Sequence, residues 1–156
     1  MTVIMPGSYD PVTTGHLEMI KRVAAEADEV YAVIFNNPNK TCTFSLEDRV
    51  AMLMLAADEL DNVLVSYSSG LVVDYMRDHG IEKIVKGYRN DADLLWENEQ
   101  AEYNLAHGGY ETELILADDA HQGISSTLVR ERLKNGESLD GLLPESVTEY
   151  IKKIKI

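Results

Sequence analysis

Pro6-Gly7-Ser8-Tyr9-Asp10-Pro11-Val12-Thr13-Thr14-Gly15-His16 decides how the rest of the chain is read. It follows a short apolar run, Val3-Ile4-Met5. It leads into a segment in which Leu17, Ile20, Ala24 and Ala27 share one face, so the order is strand, glycine turn, helix. A turn of this kind directs backbone N–H groups and a helix N-terminus at whatever lies above it, which suits a phosphate. Thr13, Thr14, Gly15 and His16 fall at the helix start, where His16 faces the same anion as the amides. No group here makes a covalent nucleophile. The chemistry it suits is stabilisation of charge on a phosphate under attack.

Outward from this unit, strand-like and helix-like segments alternate. Val30-Tyr31-Ala32-Val33-Ile34-Phe35 is a continuous apolar, β-branched run of the kind expected in a buried parallel strand. Val63-Leu64-Val65, Lys83-Ile84-Val85-Lys86 and Glu113-Leu114-Ile115-Leu116 repeat the short form. Between them, Ser45-Leu46-Glu47-Asp48 reads as a capping box, followed by Val50, Leu53, Met54 and Ala57 at helical spacing. Leu71 to His79 ends at Gly80. Asp91 to Ala106 and Ser126 to Asn135 read as further helices, and Val147, Tyr150, Ile151 and Ile154 form one stripe after Pro144. No repeat, linker or low-complexity tract interrupts the pattern, so residues 1–156 read as one domain. The expected fold is α/β: a doubly wound, five-stranded parallel sheet of Rossmann-like form, with its ligand at the carboxyl ends of the strands.

Composition bounds the function. With 14 Lys and Arg against 27 Asp and Glu, the formal charge is −13, and such a surface repels nucleic acid and anionic membranes. A polyanionic nucleotide would need a local basic pocket and a divalent cation. No apolar run is long enough to cross a bilayer, and no basic region precedes an apolar core at the N-terminus. The lone Cys42 builds no disulfide framework, which fits a reducing cytoplasm. The four histidines, His16, His79, His107 and His121, lack paired ligand spacing, which argues against a structural zinc site.

The loops that follow strands carry the remaining chemistry. Asn36-Asn37-Pro38-Asn39-Lys40 sets a turn with one cation. Lys86-Gly87-Tyr88-Arg89 places two cations around a glycine in a chain short of positive charge, and Arg89 is suited to forked bonds with phosphate oxygens. His121-Gln122-Gly123-Ile124-Ser125-Ser126-Thr127 brings hydroxyls to a helix start, read either as ordinary N-caps or as a second helix N-terminus for a triphosphate.

The turn ending in Gly15-His16 resembles the signature of nucleotidyltransferases with a (T/H)-x-G-H motif. Together with the Lys40 loop, the Phe44 to Val50 helix start, Ser69 to Asp74, the Lys86 to Arg89 strand end, Asp93 to Glu97 and Ile124-Ser125-Ser126, it resembles the bacterial phosphopantetheine adenylyltransferase family over almost the whole chain. The resemblance implies transfer of AMP from ATP to 4′-phosphopantetheine, giving dephospho-coenzyme A and pyrophosphate in coenzyme A biosynthesis. It also implies Mg²⁺, a cytoplasmic homohexamer and restraint by coenzyme A. It implies that His16 and Lys40 are catalytic, with His16 stabilising the transition state at the α-phosphate. Ser8, Lys40, Val72 and Lys86 would bind the acceptor. Ser8, Tyr9, His16, Gly87, Tyr88, Arg89, Glu97 and His121 to Thr127 would bind ATP.

The chain departs from that pattern at several points. Lys86 stands where the family usually has Arg, Thr41-Cys42 replaces a more basic continuation of the lysine loop, and Gly123 stands where an aromatic residue is common. The Leu94 to Tyr103 helix carries Trp96 and extra acids, and is the expected neighbour of a subunit contact. The Ile124 to Arg130 string also resembles nicotinate mononucleotide adenylyltransferases and small cytidylyltransferases. Two alternatives follow: a related nucleotidyltransferase with another acceptor or nucleotide, and a non-catalytic paralogue that binds nucleotide or coenzyme A.

Overall fold

A computed structural model describes residues 1–154. Its strands are β1 (Thr2–Gly7), β2 (Glu29–Phe35), β3 (Val63–Ser68), β4 (Lys83–Tyr88) and β5 (Thr112–Leu116). Its helices are α1 (Thr14–Ala24), α2 (Leu46–Ala56), α3 (Val72–His79), α4 (Asp91–Gly108), α5 (Ser126–Asn135) and α6 (Glu145–Ile154). All strand pairs are parallel, in the order β3-β2-β1-β4-β5. The sheet is doubly wound, and its strand order reverses between β1 and β4.

Alternation along the strands builds two cores. Val3 and Met5 of β1, Val30, Ala32 and Ile34 of β2, and Val85 of β4 face the larger one with α1, α2, α5 and α6. Ile4, Val33 and Ile84 face the smaller one with Met76 of α3 and Ile81. Period-two packing on both faces is what produces continuous apolar strands.

The switch point opens a crevice. β1 and β2 stay in register from Thr2↔Glu29 to Gly7↔Ile34, whereas β1 and β4 pair only at Val3↔Lys83 and Ile4↔Ile84. Pro6 has no N–H to give a ladder. Its carbonyl instead accepts from Lys86 Nζ at 3.1 Å, so a cationic side chain bridges the parted strands. On β4, Gly87 lies against α1: a Cβ there would sit 1.9 Å from Met19 Sδ.

Two local expectations change. α1 stops at Ala24, short of Ala27. Ser45 caps α2 by accepting from Asp48 N at 3.1 Å, but the reciprocal half of a capping box is missing, and the Asp48 carboxylate instead accepts from Tyr150 Oη at 2.7 Å. The complete box is at α1, where Thr13 is the cap and His16 occupies the place usual for Glu or Gln.

Candidate active site

A cavity of about 330 Å³ lies where β1 and β4 part, closed by the starts of α1 and α5. Ser125 caps α5 by accepting from Leu128 N at 3.1 Å, and the Ser126 hydroxyl donates to Pro11 O at 2.7 Å. That second bond ties the α5 start to the turn before α1. At α1 Thr14 N donates to Leu142 O at 2.9 Å and His16 N to Thr13 Oγ1, which leaves Gly15 N, while at α5 Ser126 N and Thr127 N precede the capped Leu128 N. These amides and the two helix dipoles meet at one volume, an arrangement that favours anions.

His16 is held by its own helix start. Nδ1 accepts from Thr13 N at 3.0 Å and lies 3.1 Å from the Thr13 hydroxyl, while His16 N donates to Thr13 Oγ1 at 3.3 Å. Because Nδ1 is an acceptor, the proton of the neutral ring belongs on Nε2. Burial, then the charges of Lys86 and Arg89, lower its pKa to about 4. At neutral pH the ring is an uncharged donor fixed in tautomer and direction. Tyr9 packs its ring against His16 with centroids 5.0 Å apart. Tyr9 is buried at φ +46°, its hydroxyl donates to Met5 O at 2.7 Å, and burial raises its pKa. The Tyr9 hydroxyl is thus committed to the protein interior and not to a ligand.

Three cations border this cavity. Lys86 lies 3.3 Å from Glu97 Oε2. Arg89 Nε lies 3.0 Å from Asp93 Oδ2. Arg130 donates to Asp10 O at 2.8 Å and to Thr127 Oγ1 at 3.1 Å. Each is oriented by a partner, and an arriving polyphosphate would compete with those partners for the same N–H groups.

A second cavity of about 220 Å³ shares the Pro6–Ser8 wall and Lys86, and extends between Val72 and α4. Two of its lining residues carry buried oxygens that make no hydrogen bond: Glu97 Oε2, which is held instead by the Lys86 ion pair, and Thr112 Oγ1. Glu97 is the buried residue of α4, whereas Leu95 and Trp96 are 65% and 59% exposed. The Thr112 hydroxyl can donate or accept and the Glu97 carboxylate accepts, so this wall offers polar groups to a molecule that carries N–H or O–H donors.

Residues 4–132 match the cytidylyltransferase-like family. A phosphopantetheine adenylyltransferase of Corynebacterium efficiens is 38% identical over 154 residues, covering 98% of this chain and 97% of the relative. One from Corynebacterium glutamicum strain R is 38% identical over 152 residues, covering 97% and 95%. The chain belongs to the phosphopantetheine adenylyltransferase family.

Within this family member, the structure brings together Ser8, Tyr9, His16, Lys86, Gly87, Arg89, His121 and Ile124 to Thr127 around the larger cavity. Val72 and Glu97 line the smaller one with Ser8 and Lys86, so Glu97 stands away from the nucleotide-sized space expected for it. Lys40 is exposed on the loop between β2 and α2, and Tyr88, Gln122, Gly123 and Lys40 line neither cavity. Gln122 instead donates to Ala117 O at 2.9 Å. Sequence reasoning missed Arg130 and Thr112. Arg130 was legible in principle, since it lies one helical turn after Thr127 at a helix start. Thr112 was not, because a threonine opening a strand looks ordinary until its hydroxyl is left unpaired. No described helix is long and apolar enough to cross a membrane.

Proposed function

We propose that this chain transfers AMP from ATP to 4′-phosphopantetheine, releasing pyrophosphate and forming dephospho-coenzyme A. The observation that carries the reading is the pairing of two cavities across Ser8 and Lys86. One is anion-seeking and helix-capped. The other is smaller and is lined by the Glu97 carboxylate, paired with Lys86, and the Thr112 hydroxyl. The first suits a triphosphate. The second suits an arm whose amides bring donors, and the acceptor phosphate would lie at the shared wall.

In this reading an oxygen of the acceptor phosphate attacks the α-phosphorus of ATP. The bond from that phosphorus to the bridging oxygen breaks, and pyrophosphate leaves with the electron pair. His16 Nε2–H donates to the α-phosphate as charge grows there, and Lys86 draws the acceptor phosphate into line. Arg89, Arg130 and the α5 start offset the charge of the outer phosphates. Lys40 reaches the acceptor phosphate from its loop. Positioning and electrostatics carry such a transfer, and no side chain is alkylated or acylated.

Magnesium would serve as a counter-ion to the nucleotide phosphates, offsetting their charge. A cage of protein ligands fits it poorly. Among the described residues, the cluster of Glu18, Asp118 and His121 combines an imidazole with a carboxylate already bonded to Arg22 through both oxygens. Coenzyme A, which carries the same arm, would compete for the second cavity. We also infer a cytoplasmic homohexamer in which the apolar outer face of α4, with Leu95 and Trp96, meets a neighbour; light scattering on a gel-filtration column tests this, and a monomer mass in moderate salt would overturn it. The function itself is tested by pyrophosphate release with ATP or CTP against a panel of phosphorylated acceptors. Release that favours CTP, or that is indifferent to 4′-phosphopantetheine, would overturn the reading.

A further inference from the structure

Arg49 is a buried cation that the reaction as described does not use. It sits in the first turn of α2 and is 3% exposed, yet all its bonds go to neutral oxygens. Nε donates to Phe44 O at 3.2 Å, Nη1 to Ser8 O at 3.2 Å and Nη2 to Asn36 Oδ1 at 2.8 Å. None of the ion pairs among the described residues includes it. A guanidinium withdrawn from water without a carboxylate is expensive, so its retention calls for a reason beyond filling space.

The three acceptors supply one. Asn36 and Phe44 stand at the two ends of the loop that carries Lys40, and Ser8 belongs to the wall shared by both cavities. The neighbouring Asp10 completes the clamp: its carboxylate accepts from Thr43 N and Phe44 N, both at 2.9 Å. The middle of the loop is exposed and held only by its own turn, in which Lys40 N donates to Asn37 O at 3.0 Å. One planar side chain therefore fixes the distance between the base of the Lys40 loop and the Ser8 carbonyl. We propose that Arg49 is the positioning residue that delivers Lys40 to the acceptor phosphate. This rests on the adenylyl-transfer reading for its substrate, but the mechanical claim does not.

The test combines two readouts. Arg49→Met is expected to raise the acceptor KM about tenfold while the ATP KM stays within about twofold. In a Lys40→Ala background the same change is expected to add less than about twofold, because Arg49 acts through Lys40. Arg49→Lys keeps the charge but cannot reach three acceptors, and is expected to recover part of the loss. Asn36→Ala removes one anchor and leaves the guanidinium in place, so it covers the case in which Arg49→Met fails to fold; a smaller shift in acceptor KM alone is expected. The second readout needs no substrate: Cys42, half-buried in the loop and the only cysteine, is expected to react with a disulfide reagent faster in Arg49→Met and Asn36→Ala. Fully multiplicative losses with Lys40→Ala, equal damage to both KM values, or unchanged Cys42 reactivity would each overturn the proposal. If the unmodified chain releases no pyrophosphate, the functional reading fails, and Cys42 reactivity still decides whether Arg49 holds the loop.

Discussion

The two sides of the switch point are finished to different degrees. On the α1 side the side chains near the chemistry are held by internal bonds that leave His16 Nε2 free to donate: His16 and Thr13 cap each other, Ser126 holds Pro11, and Tyr9 turns its hydroxyl inward. On the α4 side the Thr112 hydroxyl makes no hydrogen bond, Glu97 is held only by its ion pair with Lys86, and Leu95 and Trp96 are exposed. The first side is organised before any ligand arrives, as charge stabilisation in a transition state demands. The second is completed only by what binds to it, as recognition allows. Catalysis and affinity are therefore expected to separate cleanly by side.

The largest expected effect is on the organised side. His16→Ala is expected to lower kcat by about 10²–10³ with small changes in either KM, as for loss of one preorganised donor. A variant that loses affinity and keeps kcat would reverse the contrast. Steady-state kinetics for both substrates decide it.

Glu97→Gln tests the other side. It removes the charge paired with Lys86 and keeps the volume, so the acceptor KM is expected to rise about tenfold with kcat little changed, and the free protein is expected to melt somewhat lower because Lys86 loses its ion-pair partner. A fall in kcat at constant KM would mean that Glu97 works in the chemistry.

The titration of His16 sharpens the comparison further. Its pKa is near 4 in the fold and near 6.5 when unfolded. Neutral His16 therefore contributes stability that is fully present above about pH 6.5 and is lost as pH falls toward 4. On this account the acid limb of kcat stays flat through pH 6.5. The stability difference between the wild type and His16→Ala also shifts in the wild type's disfavour across that window. An acid limb centred at 6.5 would mean that His16 sits in an open, ordinary environment.

The smallest effect belongs to the cap. Thr13→Ala is expected to cost about 1 kcal/mol in denaturant unfolding, whereas Thr13→Ser retains most of the stability. A neutral Thr13→Ala would show that the capping box contributes little to the rigidity of this side.

Much of this fold was legible in the chain. Apolar runs marked the strands, glycines at 80 and 136 ended helices in the left-handed conformation, and His16 was placed at a helix start from Thr13 onward. Periodicity and cap chemistry are local, so they survive in one dimension. Other features were not local. The second half of the α1 cap came from an imidazole, which the usual Ser/Thr-to-Glu pattern does not reveal, and so Ser45 drew the assignment instead. Glu97 was legible as a functional acid but not as a buried one, because α4 has no clean apolar stripe and its burial depends on how the helix crosses β4 and β5. The position of Lys40 depends on a loop anchored by Arg49, and no pattern within the loop discloses that.

The packing of Gly87 against Met19 has a consequence for how this sequence can change. Any side chain at 87 would enter the space of the Met19 sulfur, and a smaller residue at 19 would open a hole beside the phosphate site. The two positions are therefore coupled, with the flexible end of Met19 setting how much bulk 87 accepts. A library that varies 87 alone is expected to return glycine and, where the end of Met19 swings aside, alanine. Varying both together is expected to recover paired exchanges, in which bulk leaves α1 as it enters β4.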